Sequence, residues 1–339
     1  MEISRDGTAS KRPNIVRLQT VVIGGPNGRW AKLFVLTAVL LCAVAWTCAP
    51  TSAEPALQPP PGRSLGLALG VPAVANLRDV GGYRALDGRA VARGLVYRSN
   101  AFIGMSAEDI KKIEPLGLKN DYDLRVTAEA KAAPDELPPS VRHHLLNVMA
   151  DVKPAALPDF NALLRKPKEA NVVLGDGKVE ALFIAGYREF ITLPSANRAY
   201  RTLFISLADG KNLPAVFHCA SGKDRTGWAA AALLTLLGAP KETVMADYMR
   251  TNEYTLPQSA GVIDGFVAAG GDRAIAEAII GVKPEYLQAS FDEMEKRYGA
   301  IEAYFAKGLG VDAAGQKALR DRFLRSNQGL RRRQAFPAF

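Results

Sequence analysis

The chain has 339 residues, 48% of them hydrophobic, so it can bury a sizeable core and is not disordered as a whole. Its formal net charge is +9, of which residues 1–53 carry +4 through six Lys or Arg against two acidic residues. The remaining +5 is too small and too dispersed to indicate nucleic-acid binding, although mild positive charge suits an anionic substrate.

Residues 1–53 predict a signal peptide or a membrane anchor. From Leu33 to Ala53 the chain has no charged residue, and the apolar run ends in small residues. Cleavage after Ala53 would release a periplasmic or secreted domain, whereas an uncleaved run of this length could span the cytoplasmic membrane. Basic residues precede the run, so either alternative places the domain outside the cytosol.

The rest of the chain is expected to form one domain between two flexible flanks. Residues 54–70 are proline-rich and predict an extended linker. The folded domain is expected over 71–327. Residues 328–339 contain three consecutive arginines and predict a solvated basic tail, with association to an anionic membrane surface as the alternative.

The first elements of the domain are short. Residues 95–99 predict a strand, and Ser106 precedes apolar residues at helical spacing, which predicts a capped helix that ends at Gly117. Another strand is expected around residues 122–124. Between about 130 and 180 six prolines interrupt the pattern, so we expect an irregular insertion with short helices, a common place for lids and substrate loops.

Helical periodicity returns over 181–193 and 200–207. An apolar strand is then expected at 214–218, followed after a loop by an apolar helix over 226–237 that Gly238 ends. Further helices are predicted over three carboxyl-terminal segments: 241–252, 284–298 and 313–325. Strands that alternate with helices indicate a single α/β domain with a helical carboxyl-terminal part.

Cysteine usage singles out one thiol. Two of the three cysteines, Cys42 and Cys48, lie in the apolar amino-terminal run, so a cleaved protein keeps only Cys219. A single thiol cannot form an internal disulfide, and Cys219 is therefore an inert buried residue, an intermolecular partner or a nucleophile. Its neighbours favour the nucleophile.

Cys219 is the second residue of the loop 218–227, which reads His-Cys-Ala-Ser-Gly-Lys-Asp-Arg-Thr-Gly. A strand that stops, a turn that contains Gly222 and a helix that starts produce a nest of backbone N–H groups, which binds tetrahedral oxyanions. These N–H groups and the helix dipole favour the thiolate form of a cysteine at the mouth of the nest. Arg225 follows at Cys-x5-Arg spacing, and its planar guanidinium can hold two phosphate oxygens, which a lysine cannot.

With this loop the sequence resembles the bacterial tyrosine-protein phosphatase family, in the branch of secreted enzymes that act on phosphoproteins and phosphoinositides. Supporting segments are residues 76–82, 97–99, 123–125, 247–252 and 283–286, so the resemblance spans about residues 73–325. It implies a three-layer phosphatase domain with a central sheet flanked by helices. Its substrate would be a phosphorylated protein or a phosphoinositide.

The resemblance also implies a mechanism and assigns its residues. Phosphomonoesters would be hydrolysed through a cysteinyl-phosphate, without a metal or a cofactor. Cys219 is then the nucleophile, Arg225 the phosphate ligand, and Asp224 the acid that protonates the leaving oxygen. Asp123 is the second candidate for the acid.

The remaining loop residues would bind or support the substrate. The phosphate is expected to contact Ala220, Ser221 and Gly222. Lys223 would face the substrate and widen acceptance toward additional phosphates. Thr226 would hydrogen-bond the sulfur as it leaves in the second step. His218 would orient the loop and favour the thiolate.

Simpler alternatives stand beside these assignments. Asp224 could be an ordinary helix cap, Lys223 a solvated charge and Asp123 a structural residue. Three arginines could brace the phosphate loop or simply form ion pairs: Arg78, Arg98 and Arg125. His143 and His144 are adjacent without any further ligand pattern, so they are expected to cap elements or to face solvent.

Three other functions compete with this interpretation. A cysteine-type phytase is disfavoured by the aspartate within the loop, and product profiles on phytate would separate the two. A rhodanese-like sulfurtransferase also uses a cysteine-centred anion loop, but Gly-Lys-Asp-Arg-Thr-Gly disfavours it. A phosphate-binding pseudoenzyme would be expected to lose Cys219 or Arg225, and both are present.

Overall fold

The computed structural model of the chain describes residue 66 and residues 68–153 and 159–326. The predictions for 1–53, for most of the linker and for 328–339 fall outside these residues. Within the predicted linker, Ala68 and Leu69 already pair with Arg78 and Leu77. None of the described helices is both long enough and apolar enough to cross a bilayer.

The described part of the chain contains a central sheet of five strands. The strands β1 to β7 are Arg78–Asp79, Ala90–Val91, Val96–Asn100, Asn120–Asp123, Arg142–Leu145, Ala215–Cys219 and Leu324–Arg325. The central sheet has the order β1-β3-β6-β4-β5, and β2 pairs with β7 separately. The edge strand β1 is antiparallel to β3, whereas the other neighbours are parallel.

Helices cover the sheet and form the carboxyl-terminal part. The helices α1 to α14 are Ala107–Ile113, Thr127–Ala132, Phe160–Leu164, Pro167–Leu174, Lys178–Thr192, Pro194–Ala208, Arg225–Leu236, Lys241–Met249, Thr251–Gln258, Ala260–Ala268, Arg273–Ile280, Pro284–Tyr298, Ile301–Ala303 and Ala313–Phe323. Short 3-10 turns lie at Pro72–Val74, Glu114–Leu116 and Gly210–Asn212, and a π-helical turn at Tyr304–Gly308.

Successive strand residues point into two apolar clusters on opposite faces of the sheet, as the pleat requires. Val96 and Phe217 belong to the larger cluster, which also contains the buried side of α7. Tyr97 and Val216 belong to a smaller cluster with Ile113 of α1. A parallel sheet is stable when both faces are covered in this way. The predicted three-layer α/β domain is therefore confirmed.

The local predictions at the capped helix are also confirmed. The Ser106 hydroxyl accepts a hydrogen bond from the Asp109 N–H (3.1 Å), and the Asp109 carboxylate accepts one from the Ser106 N–H (3.1 Å). This reciprocal capping box satisfies two N–H groups that a helix start leaves unpaired. Gly117 ends the segment with φ +59°, a conformation that glycine adopts without strain.

The prediction of an irregular insertion over 130–180 is partly wrong. Short helices do occur there, but the segment also contains β5, which extends the sheet beyond β4. The residues of β5 are mostly exposed, so the sequence has no apolar alternation there that would predict a strand. Its two histidines do not simply face solvent: His144 Nε2 contacts Asn120 Oδ1 at 2.9 Å, and His143 Nε2 lies 3.3 Å from Asp123 Oδ2.

Candidate active site

The loop of residues 218–227 lies between β6, which ends at Cys219, and α7, which begins at Arg225. Groups outside the loop hold its carbonyls. The Ala101 N–H donates to the Ala220 carbonyl (3.1 Å), and Asn76 Nδ2 donates to the carbonyls of residues 221 and 222 (3.1 Å each). A loop with its carbonyls bonded outward leaves its N–H groups to face an anion.

Gly222 allows the loop to pack against the end of β3. Its φ is +68°, and a Cβ atom at this position would lie 2.3 Å from the Ser99 carbonyl oxygen. No other residue type could occupy this position without moving the backbone. The glycine in the motif is therefore required by the close approach of two backbone segments.

A buried ion-pair network braces the loop from behind. Arg98 donates from Nη2 to the Gly222 carbonyl (3.0 Å) and from Nη1 to Asp247 Oδ2 (2.7 Å). Asp247 also pairs with Arg78 Nε (3.3 Å) and accepts a hydrogen bond from the Tyr83 hydroxyl (2.8 Å). Burial alone would raise the pKa of Asp247, but the two guanidinium groups outweigh burial and lower it to about 2. Arg98 thus both braces the loop and forms an ion pair.

His218 is wholly buried beside two carboxylates. Its Nε2 lies 3.1 Å from Asp121 Oδ1 and 3.4 Å from Asp135 Oδ2. Neither contact has hydrogen-bond alignment, and within the described residues His218 Nε2 and both Asp121 oxygens have no hydrogen-bond partner. Burial alone would lower the pKa of His218, but the carboxylates outweigh it and raise it well above the usual range. The charged ring donates from Nδ1 to the Cys219 carbonyl (3.1 Å) and fixes the strand end.

Asp123 is held in a buried ion pair. Arg125 Nε donates to its two oxygens at 2.9 and 3.0 Å, and Nη2 donates to Oδ2 at 2.8 Å. Although burial raises the pKa of Asp123, the hydrogen bonds from Arg125 and the charge of His218 outweigh burial and lower it. Arg125 also pairs with Asp135. Both oxygens of Asp123 are therefore engaged by Arg125.

The carboxylates beside His218 also raise the question of a metal ion. Of the described residues, two groups have ligand atoms close enough to share a cation: Asp121 with Asp135 and His143, and Asp123 with Asp135 and His218. Arg125 and the charged His218 already neutralise these carboxylates, so a cation would have to displace both. We therefore assign no metal to the cluster.

Arg225 is positioned by a residue that the sequence did not reveal. Its Nη1 donates to Glu129 Oε2 (2.7 Å) and its Nη2 to Oε1 (3.3 Å), and Oε2 also accepts a hydrogen bond from the Val126 N–H (3.0 Å). Burial alone would lower the pKa of Arg225, but Cys219 and Glu129 outweigh it and raise it. Glu129 therefore orients the guanidinium and occupies the first turn of α2, where an acidic residue is favoured.

Asp224 precedes α7, but its side chain makes no capping hydrogen bond, so the cap alternative is wrong. Its Oδ1 instead accepts hydrogen bonds from Lys223 Nζ (2.8 Å) and from the Tyr187 hydroxyl (2.9 Å). Lys223 is not a solvated charge either, because its side chain is 5% exposed and its Nζ lies 4.1 Å from the centre of the Phe183 ring. Thr226 is buried, and its hydroxyl has no hydrogen-bond partner in the described part of the chain.

The structure thus brings together Cys219, Asp224 and Arg225 in one loop and adds two residues that sequence reasoning missed. Glu129 stands three positions after Val126 at a helix start, a spacing typical of a capping box, but nothing local links it to Arg225. Tyr187 follows the apolar period of α5 and resembles an ordinary core residue. Asp123 lies outside the loop, in the buried cluster beside His218, with its Oδ1 4.0 Å from His218 Nδ1.

Comparisons with known proteins agree with this geometry. A model of the tyrosine phosphatase family matches residues 69–325. A protein of Cupriavidus necator, described as a presumed tyrosine-protein phosphatase, is 29% identical over 241 residues, which cover 71% of this chain and 84% of that protein. The triple specificity protein phosphatase PtpB of Mycobacterium tuberculosis is 26% identical over 275 residues, which cover 74% of this chain and 96% of that protein. The family model covers most of the chain and includes every described loop residue, so the chain belongs to the tyrosine phosphatase family.

Proposed function

We propose that the protein hydrolyses phosphotyrosine in proteins through a cysteinyl-phosphate, and that it also accepts phosphoserine and phosphoinositides. The observation that carries this proposal is the loop itself: its carbonyls are held outward, Cys219 stands at its start and Arg225 at its end. Such a loop stabilises charge on a phosphoryl group through fixed N–H dipoles and a guanidinium.

In the first step the Cys219 thiolate attacks phosphorus. A sulfur–phosphorus bond forms while the bond from phosphorus to the leaving oxygen breaks, and that oxygen takes a proton from Asp224. In the second step Asp224 accepts a proton from water as the water oxygen attacks phosphorus, and Cys219 leaves as a thiolate. Phosphate is released, and the acid and the nucleophile return to their starting forms.

Asp224 fits the role of the acid better than Asp123 does. Asp123 is buried, and Arg125 donates hydrogen bonds to both of its oxygens, so a leaving oxygen would have to displace Arg125 to reach either one. The Asp224 side chain is 18% exposed and belongs to the loop that would hold the phosphate. Both of its hydrogen bonds reach Oδ1, so a leaving oxygen can engage Oδ2 without displacing either donor.

The breadth of the proposed substrate range rests on Lys223. Its ammonium group is paired with Asp224 and packed on Phe183, so it is held at the loop rather than in bulk water. A second phosphate on an inositol ring would meet this charge. The name of the mycobacterial relative, a triple specificity phosphatase, supports the same breadth.

The proposed mechanism is tested by trapping its intermediate. The purified full chain is mixed with a phosphotyrosine peptide, quenched in acid within the first turnover and digested for peptide mapping. We expect one phosphoryl group on Cys219 and continued release of phosphate at steady state. A phosphoryl group on another residue, or phosphate release without any trapped intermediate, would contradict the mechanism. Parallel assays with phosphoserine peptides, phosphoinositide vesicles and phytate define the substrate range.

The Asp224→Asn substitution tests the acid. It is expected to slow hydrolysis of a phosphoserine peptide about 100-fold, the usual scale of general acid catalysis. Hydrolysis of p-nitrophenyl phosphate should be slowed much less, because p-nitrophenolate leaves without a proton. The measurement is the ratio of kcat/KM values for the two substrates. The matched variant Asp123→Asn should leave that ratio unchanged, and a larger change from Asp123→Asn would transfer the role to Asp123.

The Glu129→Gln substitution tests the orientation of Arg225. Glutamine keeps the size but loses the charge that holds the guanidinium, so we expect about a tenfold loss in kcat/KM from misplacement of the phosphate ligand. Because Arg225 would contact the phosphoryl group, kcat/KM should fall equally for substrates with good and with poor leaving groups. Vanadate should bind more weakly. Glu302→Gln, which breaks an exposed pair with Arg320, is the control and should change neither quantity. Unchanged vanadate affinity in Glu129→Gln would rule out this role.

A further inference from the structure

Tyr187 connects helix α5 to the phosphate loop. Its side chain is buried, and its hydroxyl lies 2.9 Å from Asp224 Oδ1 and 2.6 Å from the Tyr248 hydroxyl. Tyr187 lies 37 residues before Asp224 in sequence, so this contact exists only because of the tertiary fold. The sequence motif does not include it.

The direction of the two hydrogen bonds follows from chemistry. Burial first, and then the nearby Asp224, raise the pKa of Tyr187 well above the usual range, so its hydroxyl stays protonated. The proton that Asp224 gives to the leaving oxygen is carried on Oδ2 in this scheme, so Oδ1 is an acceptor and Tyr187 donates to it. Tyr187 has one proton, and therefore Tyr248 donates to the oxygen of Tyr187. The result is a chain of two phenols that ends on the carboxylate.

The phenol is itself held rigidly. The Tyr187 ring packs against the rings of Phe190 and Tyr286, whose centroids lie 5.0 and 5.9 Å away. The Ser290 hydroxyl donates to the Tyr187 carbonyl (2.6 Å) and ties α5 to α12. A buried donor on a fixed ring can define the rotamer of the group that it contacts.

Asp224 needs such a constraint. Its carboxylate makes no capping bond and is partly exposed, so its own backbone does not determine where the oxygens point. The other donor to Oδ1 is Lys223, which is the neighbouring residue of the same loop and so does not tie Asp224 to another element. The contact that ties Asp224 to a helix outside the loop is therefore the one from Tyr187.

We propose that Tyr187 is a positioning residue for the proton donor: its hydroxyl fixes Oδ1 of Asp224 so that Oδ2 meets the leaving oxygen. The inference rests on the proposed function of Asp224 as the acid. Tyr187 does not contact the phosphoryl group in this scheme, and it acts only through Asp224, which is the acid in the first step and the base in the second.

The test is the Tyr187→Phe substitution in the full chain, assayed with phenyl phosphate and with p-nitrophenyl phosphate. The quantity compared is kcat/KM, which reports the steps up to loss of the leaving group and does not include hydrolysis of the cysteinyl-phosphate. For phenyl phosphate, whose phenolate is a poor leaving group and needs the proton, kcat/KM is expected to fall about tenfold. For p-nitrophenyl phosphate, whose p-nitrophenolate leaves without a proton, kcat/KM should change less than about twofold. Vanadate affinity should be unchanged, because the phosphate ligands are intact.

Two further measurements separate positioning from a structural role. In an Asp224→Ala background Tyr187→Phe should have no additional effect on phenyl phosphate, since the group that it positions is gone. Tyr304→Phe removes another buried phenol, one that accepts a hydrogen bond from Trp228 (3.3 Å), and should leave the ratio of the two substrates unchanged. Equal losses for both substrates in Tyr187→Phe, or an undiminished effect in the Asp224→Ala background, would overturn the inference.

The outcomes also separate this inference from the proposed function. If the wild-type chain forms a phosphoryl-Cys219 and Asp224→Asn discriminates between leaving groups, but Tyr187→Phe does not, then only the role of Tyr187 is wrong. If no phosphoryl-Cys219 forms, or if Asp224→Asn slows hydrolysis equally for good and poor leaving groups, then the roles proposed for Asp224 and for Tyr187 are both wrong.

Discussion

Replacing Cys219 with serine is expected to reduce phosphate release from p-nitrophenyl phosphate by at least about 10⁴-fold, the scale at which loss of a nucleophile is usually felt. A serine hydroxyl is not ionised at neutral pH and attacks phosphorus far more slowly than a thiolate. The measurement is single-turnover and steady-state phosphate release by the full chain.

The same variant should still bind phosphate or vanadate with nearly the affinity of the wild type. The ligands of the anion are the loop N–H groups and Arg225, and serine leaves both in place. Arg225→Lys is the complementary variant, because it keeps the nucleophile but loses the bidentate ligand, and it should weaken vanadate binding. Substantial residual turnover in Cys219→Ser would refute the nucleophile, and lost vanadate binding would indicate that the substitution had disturbed the loop.

The Asp247→Asn substitution is expected to lower the free energy of unfolding at pH 7 by about 3–5 kcal/mol, the usual cost of removing one partner from a buried ion pair. Arg78 and Arg98 would remain charged, with side chains that are 0% exposed and without their carboxylate. Because Arg98 also holds the Gly222 carbonyl, weaker phosphate binding should accompany the loss of stability.

This effect should depend on pH in a defined direction. The pKa of Asp247 is lowered to about 2 in the folded chain from an ordinary value of 3.8. A lowered pKa stabilises the fold above the ordinary value, and that contribution is lost as the pH falls through the folded value. Urea unfolding should therefore show the full difference between wild type and variant at pH 7 and a smaller one at pH 3.

A surface pair provides the matched control for this prediction. Asp264→Asn breaks the Asp264–Arg273 ion pair, in which both side chains are more than half exposed. Exposed pairs contribute about 0–1 kcal/mol, so this variant should be nearly neutral at both pH values. A difference below about 1 kcal/mol for Asp247→Asn at pH 7, or one that does not shrink at pH 3, would show that the network is not stabilising as inferred.

Local patterns predicted the elements next to the chemistry well. The strand before Cys219, the helix after Arg225 and the Ser106 capping box all depend on residues within a few positions of one another. Strand β5 was missed for the opposite reason. It is an exposed edge strand, and only its pairing with β4 makes it a strand.

In the candidate active site, too, some features follow from neighbouring residues and others from contacts between distant segments. The loop motif identified the proposed nucleophile and the proposed phosphate ligand, because both lie at fixed spacing along one loop. The partners of those groups come from distant elements. Glu129 lies 96 residues from Arg225, and Tyr187 lies 37 residues from Asp224. No periodicity relates such positions.

The amino-acid sequence by itself determined the motif on which the proposed chemistry rests: a Cys-x5-Arg loop between a strand and a helix, and the order of elements that builds an α/β domain around it. These depend on short-range backbone geometry and on side-chain type. Only the tertiary structure decided that Asp123 is held in a buried ion pair with Arg125, that Lys223 is buried and that Asp224 is bonded to Tyr187. Burial and charge pairing depend on which segments meet in space, and those contacts set the environment in which each group acts.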